Sequence, residues 1–272
     1  MEEKAMLLAI DIGNTNIVVA LFDRDKIVHS WRIFSDTRRT GDEYGSILHS
    51  LLRNSGVAPG QIESAVMNSV VPVLIGPFVG MISTLIGKKP LIVGPQIFPY
   101  LPVTVPESAV HEIGSDLLCN AVEAYCRFRT ACIIADFGTA LTFTAVGAGG
   151  EIRGVAIAPG IGTAVTSLFE NTAQLPSVPL EVPMSVLGKN TIHSIQAGVI
   201  LGYKGLTEFL IAAMKDELAR QEGVPAESIY VVATGGLNSV LEPITTVFRQ
   251  VDKQLTLMGL RRIAEIVAGH HV

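Results

Sequence analysis

The 272-residue chain lacks the features that mark several large protein classes. Its 3 cysteines, Cys119, Cys126 and Cys132, lie in or beside apolar segments without Cys-x-x-Cys spacing, which argues against a disulfide framework and for a reducing compartment. Its basic residues form no cluster larger than a pair and the net charge is −5, so the sequence does not predict a nucleic-acid partner. No basic segment followed by a long apolar run stands near the start, and secretion is not expected.

Several catalytic motifs are also missing. The 6 histidines have no HxxxH or HxH partners, and no Gly-x-Ser-x-Gly elbow occurs, so a histidine-ligated metalloenzyme and a nucleophilic hydrolase are not predicted. The string nearest to a dinucleotide-binding Gly-x-Gly-x-x-Gly, residues 160–165, lacks the third glycine and follows Pro159. The uncharged stretch 64–87 contains Pro72 and Pro77, which predict a strand, a turn and an apolar helix rather than a membrane span.

The most informative feature that is present is a short pattern that occurs twice. An apolar run over residues 7–10 ends in Asp11-Ile12-Gly13-Asn14-Thr15-Asn16, and a second over residues 132–135 ends in Asp136-Phe137-Gly138-Thr139-Ala140. A further β-rich run follows each of them, so each glycine turn is predicted to close a hairpin. A glycine two residues after an aspartate lets backbone N–H groups approach an oxyanion closely. Two such hairpins facing each other would form a phosphate clamp.

Composition and element order are consistent with a duplicated α/β protein. A hydrophobic content of 49% with 17% charged residues implies an extensive core, and the length suffices for two domains. The first hairpin is followed by a predicted strand, helix, strand, helix and strand. Residues 95–106 are Pro-rich and form a plausible connection, and apolar residues at helical spacing predict a helix over 112–128. The second hairpin leads into a third strand, a long insertion, a helix and a further strand.

A series of short motifs in this order resembles one known family. They are Asp11-Ile12-Gly13-Asn14-Thr15-Asn16, Trp31-Arg32-Ile33, Arg39-Thr40-Gly41-Asp42-Glu43-Tyr44, Ser69-Val70-Val71-Pro72, Gly114-Ser115-Asp116, Asn120-Ala121, Asp136-Phe137-Gly138-Thr139-Ala140, Pro159-Gly160, Gly188-Lys189-Asn190-Thr191, Thr234-Gly235-Gly236-Leu237 and Leu255-Thr256-Leu257. Together they cover nearly the whole chain and are similar to type III pantothenate kinases, within the acetate and sugar kinase/Hsp70/actin superfamily. The resemblance implies an α/β fold of two duplicated ribonuclease-H-like (actin-like ATPase) domains with mixed sheets and a cleft between them. We place these domains at residues 1–117 and 118–272.

The same resemblance implies an activity and its partners. The expected reaction is ATP-dependent phosphorylation of pantothenate to 4'-phosphopantothenate, the first step of coenzyme A biosynthesis, with Mg²⁺ and a monovalent cation, K⁺ or NH₄⁺. The expected protein is a cytoplasmic homodimer with its active site at the interface, acting on a small molecule and not on nucleic acid or membrane. The predicted helix 112–128 is the candidate dimer surface, and an internal core helix is the alternative.

On the nucleotide side, the resemblance assigns both hairpins and the Gly-Gly turn. Asp11 would hold magnesium through phosphate or water, Asp136 would bind the monovalent cation, and Thr139 would contact ATP. The phosphate cradle would consist of Ile12, Gly13, Asn14, Thr15 and Asn16, and the adenosine-side turn of Gly235 and Gly236. Each motif alone is equally consistent with a structural turn or a strand-end cap, and it is their joint occurrence that favours phosphate binding.

On the acceptor side, the resemblance makes Asp116 the proton acceptor for the substrate hydroxyl. An ordinary first-turn acid that suits the helix dipole is the alternative. Gly114 and Ser115 match substrate contacts, and Thr191 matches one that comes from the partner subunit.

The chain departs from the family at two acceptor positions. Leu117 stands where the family has an arginine that holds the substrate, and Glu107 stands by count where it has a tyrosine. Losing an arginine–carboxylate bond would cost roughly 1.5–3 kcal/mol. Compensation could come from Tyr100 for the tyrosine and from Lys189, Arg153, Arg127 or Arg129 for the missing charge. The alternative is a non-catalytic or altered-substrate paralogue that acts as a ligand-binding or regulatory protein.

Overall fold

The structure is a computed structural model that describes residues 5–172, 175–236 and 238–270. These residues form two compact units. The first contains the described residues up to Glu123 together with those from Thr256 onward, and the second runs from Ala124 to Leu255. The compact units and the domains predicted at 1–117 and 118–272 are different divisions of the chain, because the C-terminal helix belongs to the first unit.

The first unit is built on a five-stranded mixed sheet. Its elements are β1 (Met6–Ile12), β2 (Asn16–Asp23), β3 (Lys26–Phe34), α1 (Gly41–Asn54), β4 (Ile62–Ser69), α2 (Pro72–Ile86) and β5 (Leu91–Ile92). β1 pairs antiparallel with β2 and parallel with β4, which gives the strand order β3-β2-β1-β4-β5. The predicted order of strands and helices in this part of the chain is confirmed, including the strand, turn and helix in the uncharged stretch 64–87.

Side-chain alternation along these strands decides which residues reach the helices. Ile10 and Ile12 of β1 and Met67 of β4 belong to the apolar core that includes Tyr44 of α1 and Phe78 of α2. Because successive side chains of a strand point to opposite faces, Asp11 and Asn68 point away from α1 and α2. The pattern of apolar residues therefore fixes the face of the sheet on which the polar residues lie.

One motif of the resemblance has a structural explanation in this unit. Thr40 is the N-cap of α1, and its backbone N–H donates to Glu43 Oε2 at 2.8 Å while its hydroxyl accepts from Glu43 N at 3.3 Å. This reciprocal arrangement is a capping box. The next residue, Tyr44, is buried, and its hydroxyl bonds both the N–H and the carbonyl of Asp36 at 2.9 Å. The motif thus fixes the start of α1.

The second unit repeats the topology of the first. Its elements are β6 (Cys132–Phe137), β7 (Ala140–Val146), β8 (Ile152–Pro159), α4 (Ile161–Glu170), α5 (Thr191–Gln196), α6 (Gly202–Glu222), β9 (Tyr230–Thr234), α7 (Asn238–Leu241) and β10 (Gln250–Val251). A π-helical turn, Ala197–Leu201, joins α5 to α6. The strand order is β10-β9-β6-β7-β8, so β6 corresponds to β1 and β9 to β4. The predicted α/β class with two duplicated mixed sheets is confirmed.

Helix α8 (Leu255–Gly269) returns to the first unit and packs on α3 (Ser115–Phe128). Thr256 Oγ1 lies 2.9 Å from Asn120 Oδ1, and Arg262 Nε lies 2.6 Å from Oε2 of the buried Glu123. A β-carbon at Gly259 would overlap the backbone carbonyl of Cys119, so the glycine permits the close approach of the two helices.

The prediction that the helix around 112–128 is a dimer surface is wrong. The helix begins at Ser115, and every residue from Leu117 to Ala124 is buried within its own chain. Two polar residues of this helix, Asn120 and Glu123, are buried against α8, which covers a face that the spacing of the apolar positions does not predict to be covered. The alternative, an internal core helix, is confirmed.

The helical run Thr191–Glu222 is, by length and composition, apolar enough to cross a membrane. Only 28% of its most apolar window is buried. Helices that pack on the core of a globular domain can have the same length and composition. In this run Ile200, Ile211 and Leu218 belong to the apolar core of the second unit.

Candidate functional site

The first hairpin presents a tight polar loop at the end of β1. Gly13 N donates to Asn16 O at 3.0 Å, and the carbonyl of Thr15 accepts from Ser35 N at 3.0 Å. A β-carbon at Gly13 would lie 2.9 Å from Asn16 O, so the turn requires a residue without one. Asn14 and Thr15 are exposed. The backbone hydrogen bonds thus hold the loop at the end of β1 with Asn14 and Thr15 at the surface.

Asp11 lies two residues before this loop, near the end of β1. The pKa of its carboxyl is raised to about 6, chiefly by burial and next by the negative charge of Asp116, against the lowering effects of a hydrogen bond from the Asn68 amide and of the positive charge of Arg32. An electrostatic effect of this kind requires that Asp11 and Asp116 be close together. Asp11, the predicted magnesium ligand, thus lies within electrostatic range of Asp116, the predicted proton acceptor.

Asp116 occupies the first turn of α3, and its Oδ1 accepts a 2.8 Å hydrogen bond from the backbone N–H of Leu117. Burial raises the pKa of Asp116, and this hydrogen bond partly opposes the rise. Ser115 Oγ donates to the carbonyl of Ser69 at 3.3 Å, which ties the start of α3 to the end of β4. Asp116 is thereby held beside the edge of the sheet at which Asp11 lies.

Cys119, one turn further along α3, is an inert neighbour of both carboxylates. Burial raises the pKa of its thiol well above the ordinary value, and the charges of Asp11 and Asp116 raise it further. A thiol with a strongly raised pKa stays protonated and is a poor nucleophile. The first two turns of α3 therefore contain a carboxylate, Asp116, and an uncharged thiol, Cys119, near Asp11.

The two departures from the family occupy different environments. Leu117 is only 8% exposed, so its side chain is part of the packing around α3. Glu107 is exposed in a short 3₁₀ turn, Glu107–Ala109. Tyr100 is 40% exposed, and its ring lies 5.3 Å from that of His270. An aliphatic side chain at 117 thus fits its surroundings, while Glu107 and Tyr100 remain near the surface.

The second hairpin loop, Gly138-Thr139, is exposed and is supported by the segment that follows β8. The carbonyl of Thr139 accepts from Gly160 N at 2.9 Å and from Thr163 Oγ1 at 2.8 Å. The hydroxyl of Tyr203 in α6 donates to Pro159 O at 2.7 Å. A β-carbon at Gly160 would lie 2.5 Å from Thr139 O, which accounts for the Pro-Gly motif. The sequence gives no signal for Thr163 or Tyr203 because their partners are backbone atoms distant along the chain.

Gly235 lies against the end of β6 in the left-handed region, with φ +88°. A β-carbon there would lie 2.6 Å from Phe137 O and 2.7 Å from Asp136 Oδ1, so these two oxygens converge on one small space. Carboxylate and carbonyl oxygens are the ligands that hard cations prefer. Asp136, the predicted monovalent-cation ligand, and Gly235, predicted on the adenosine side, are therefore neighbours in the second unit.

Among the described residues, no group of three or more histidine, cysteine or acidic side chains could hold a metal ion. Protein-bound Mg²⁺ usually keeps several waters and takes one or two carboxylates together with substrate phosphates. One carboxylate at Asp11 beside a phosphate-binding loop suits that mode of binding.

Thr191 and Gly236 are exposed residues of the second unit, whereas residues 114–117 belong to the first. Thr191 is the first residue of α5, directly after Asn190, whose Oδ1 accepts from His193 N at 2.9 Å. The predicted residues thus fall into one group in the first unit, around Asp11 and Asp116, and another in the second unit, around Asp136, Thr139 and Gly235.

Comparison with known proteins assigns the chain to a family. A family model described as type III pantothenate kinase matches residues 7–213. The chain belongs to the type III pantothenate kinase family. A type III pantothenate kinase of Treponema pallidum (strain Nichols) is 43% identical over 265 residues, covering 96% of this chain and 94% of the relative. One of Geobacter sulfurreducens is 40% identical over 260 residues, covering 96% and 98%.

Solved structures of more distant proteins share the fold. A Campylobacter jejuni protein described as a Baf family transcriptional activator has a TM-score of 0.58 at 16% identity and covers 96% of this chain and 99% of its own. The ethanolamine utilization protein EutJ of Carboxydothermus hydrogenoformans has a TM-score of 0.53 at 13% identity, covering 94% and 89%. At these identities the likeness concerns the fold alone.

The environment of Asp11 predicts a gain in stability on neutralisation. Its pKa is about 6 in the folded protein against an ordinary 3.8, so the folded state binds the proton more tightly and loses stability as the pH rises from about 4 to about 6. Asp11→Asn should therefore raise the free energy of unfolding at pH 7.5, by at most about 3 kcal/mol, and flatten its pH dependence. Urea unfolding in EDTA between pH 4 and 8 measures both effects.

The control for this prediction is Asp216→Asn, which neutralises an exposed carboxylate on α6. It should leave the pH dependence of unfolding as in the wild type. A loss of stability at pH 7.5 in Asp11→Asn would contradict the prediction and would mean that the ionised carboxylate stabilises the first unit.

Proposed function

We propose that this protein phosphorylates pantothenate to 4'-phosphopantothenate with ATP, the first step of coenzyme A biosynthesis, and that it acts in the cytoplasm. The observation that carries the proposal is that Asp116, in the first turn of α3, lies within electrostatic range of Asp11 near the end of β1, beside a glycine loop suited to phosphate. Membership of the type III pantothenate kinase family supports the same reaction.

The first unit supplies the groups that phosphoryl transfer requires. Such transfer depends on positioned phosphates, neutralised charge and an oriented hydroxyl. The loop Gly13-Asn14-Thr15-Asn16 would bind phosphate oxygens through its N–H and side-chain groups, and Asp11 would hold Mg²⁺ through water or phosphate. Bound Mg²⁺ supplies the charge neutralisation. Asp116 would accept the proton of the pantothenate hydroxyl, for which a raised pKa is favourable.

The second unit contains groups that would suit contact with a nucleotide and with a monovalent cation. Thr139 is exposed on a loop whose carbonyl is held by Gly160 and Thr163, and the residue would contact ATP from there. Asp136 Oδ1 and Phe137 O converge above Gly235 and would provide hard oxygen ligands for K⁺ or NH₄⁺.

A second candidate function is favoured by one observation, the buried Leu117. The family arginine would give the substrate a cationic partner, whereas Leu117 offers only apolar packing. A paralogue that binds a ligand without turnover, or that phosphorylates another hydroxylated acceptor, is consistent with this change. The presence of both Asp11 and Asp116 favours catalysis.

We also propose that the protein is a homodimer that pairs through the segment before α5. Val182, Met184, Val186, Leu187 and Ile192 are all more than 40% exposed, an unusual concentration of apolar surface, and Thr191 lies among them. Pairing there would bury these side chains and suits the partner-subunit role expected for Thr191. Sedimentation should give twice the chain mass of 28.9 kDa, and Leu187→Glu should yield monomers. A wild-type monomer at micromolar concentration would contradict the proposal.

Replacement of Asp116 separates turnover from nucleotide binding. Asp116→Asn keeps the size of the side chain but removes its basicity, so kcat should fall by at least about 10²-fold while the Kd of ATP stays nearly unchanged. Steady-state kinetics and calorimetric ATP binding measure the two quantities. Glu112→Gln, which alters an exposed acid just before α3, should change neither. Equal loss of binding and turnover in Asp116→Asn would assign this residue to the nucleotide instead.

The reaction itself is tested by assaying pantothenate phosphorylation with Mg²⁺ and K⁺, beside Leu117→Arg. The wild type should turn over, and the arginine should lower the KM for pantothenate by roughly ten- to a hundredfold, the equivalent of about 1.5–3 kcal/mol. Leu117→Met, a volume-conserving uncharged change, is the matched control.

The outcomes of this assay separate the two candidate functions. A silent wild type with an active Leu117→Arg variant would identify a paralogue that has lost its acceptor contact. Silence in all three proteins would refute pantothenate as the acceptor.

A further inference from the structure

Asn68 is a buried amide whose polar atoms have no partner in good hydrogen-bond geometry among the described residues. Asn68 is 0% exposed, and within the part of the chain that the structure describes neither its Oδ1 nor its Nδ2 meets hydrogen-bond geometry with another group. Buried polar side-chain atoms in folded proteins nearly always have such partners. The amide is near enough to the Asp11 carboxylate to lower its pKa through a hydrogen bond, and no partner meets good geometry for its remaining polar capacity, which points to a group that binds beside Asp11.

The amide lies on the same face of the sheet as the Asp11 carboxylate. Asp11 and Asn68 are register partners on the adjacent parallel strands β1 and β4, and the alternating residues Ile10 and Met67 pack on the opposite face. The amide is near enough to lower the pKa of Asp11, although Nδ2 does not meet hydrogen-bond geometry with the carboxylate. Asn68 is thus directed toward the place where Asp11 would hold the metal–phosphate group.

The duplicated sheet contains a counterpart of this arrangement. In the second unit the register partner of Asp136 is Thr234, which is 1% exposed and directly precedes the Gly235 turn. Each sheet therefore places a buried polar residue beside its strand-end aspartate, on the neighbouring parallel strand.

We propose that Asn68 is a further ligand-contacting residue of the Asp11 site, and that its carboxamide donates a hydrogen bond to the terminal phosphate of magnesium-bound ATP. The proposal rests on the proposed function. The chemistry suits a neutral amide, because its N–H groups can pair with a phosphate oxygen without adding charge to a place that already contains Asp11 and Asp116. A lysine there would form an ion pair with these carboxylates, and a third carboxylate would repel the phosphate.

The test is Asn68→Leu, which keeps the approximate size and removes the polar atoms. Without ligand, the midpoint of thermal unfolding should be unchanged or higher, because no unpaired buried polar group remains. The Kd of Mg-ATP should rise at least tenfold, about 1.4 kcal/mol, and the stabilisation of the protein by Mg-ATP should shrink accordingly. Calorimetry and thermal unfolding with and without Mg-ATP measure these quantities independently of turnover.

The matched control is Thr207→Val on α6, since Thr207 is also 0% exposed and its hydroxyl is unpartnered among the described residues. It should leave the Kd of Mg-ATP as in the wild type. If Asn68→Leu does not fold, Asn68→Ala supplies the same comparison. Wild-type affinity for Mg-ATP in a folded Asn68 variant would overturn the proposal.

The same measurements separate this proposal from the proposed function. A wild type that binds Mg-ATP but does not phosphorylate pantothenate would refute the acceptor, and the affinity of the Asn68 variants would still decide the role of Asn68. A wild type that does not bind Mg-ATP would overturn both.

Discussion

The pairing of two parallel strands, β1 and β4, is the constraint on which the first unit depends. It aligns Asp11 with Asn68 and, through the bond from Ser115 Oγ to Ser69 O, ties the start of α3 to the same edge of the sheet. Because the core residues of these strands pack on α1 and α2, the polar residues are directed to the opposite face. Two carboxylates are thus held together although burial disfavours their charges.

The two sheets share a topology and differ in how their glycine turns are supported. The first loop is closed by a bond between Gly13 and Asn16, within the hairpin itself. The second is backed by Gly160 and Thr163 and is approached by Gly235. In the second arrangement two oxygens, Asp136 Oδ1 and Phe137 O, lie together above a glycine. The two duplicated sheets therefore each end a strand in a polar glycine turn, and the two turns are held by different contacts.

Much of this fold follows from local sequence. The strand ends at Asp11 and Asp136, the glycine turns and the order of elements are predictable because apolar runs and glycines act over a few residues. The position of Asn68 beside Asp11 is not predictable in this way, because nothing in an apolar strand indicates which residue of another strand it pairs with. The burial of α3 is also missed, because α8 covers it from a distance of more than a hundred residues along the chain. The burial of α3 thus depends on packing between distant segments, which the spacing of apolar residues along one helix does not indicate.

The orientation of Asp116, the proposed base, depends on the backbone of the next residue and not on its side chain. Asp116 is held by the backbone N–H of Leu117, a bond that any residue except proline at position 117 would provide. The hydrogen bond that holds the carboxylate is therefore independent of the side chain at 117, although Leu117 itself is packed around α3. Under the proposed function, a change from arginine to leucine would act on the affinity for the acceptor and would leave the carboxylate of Asp116 in place. Loss of the family arginine is thus compatible with an intact phosphoryl-transfer site.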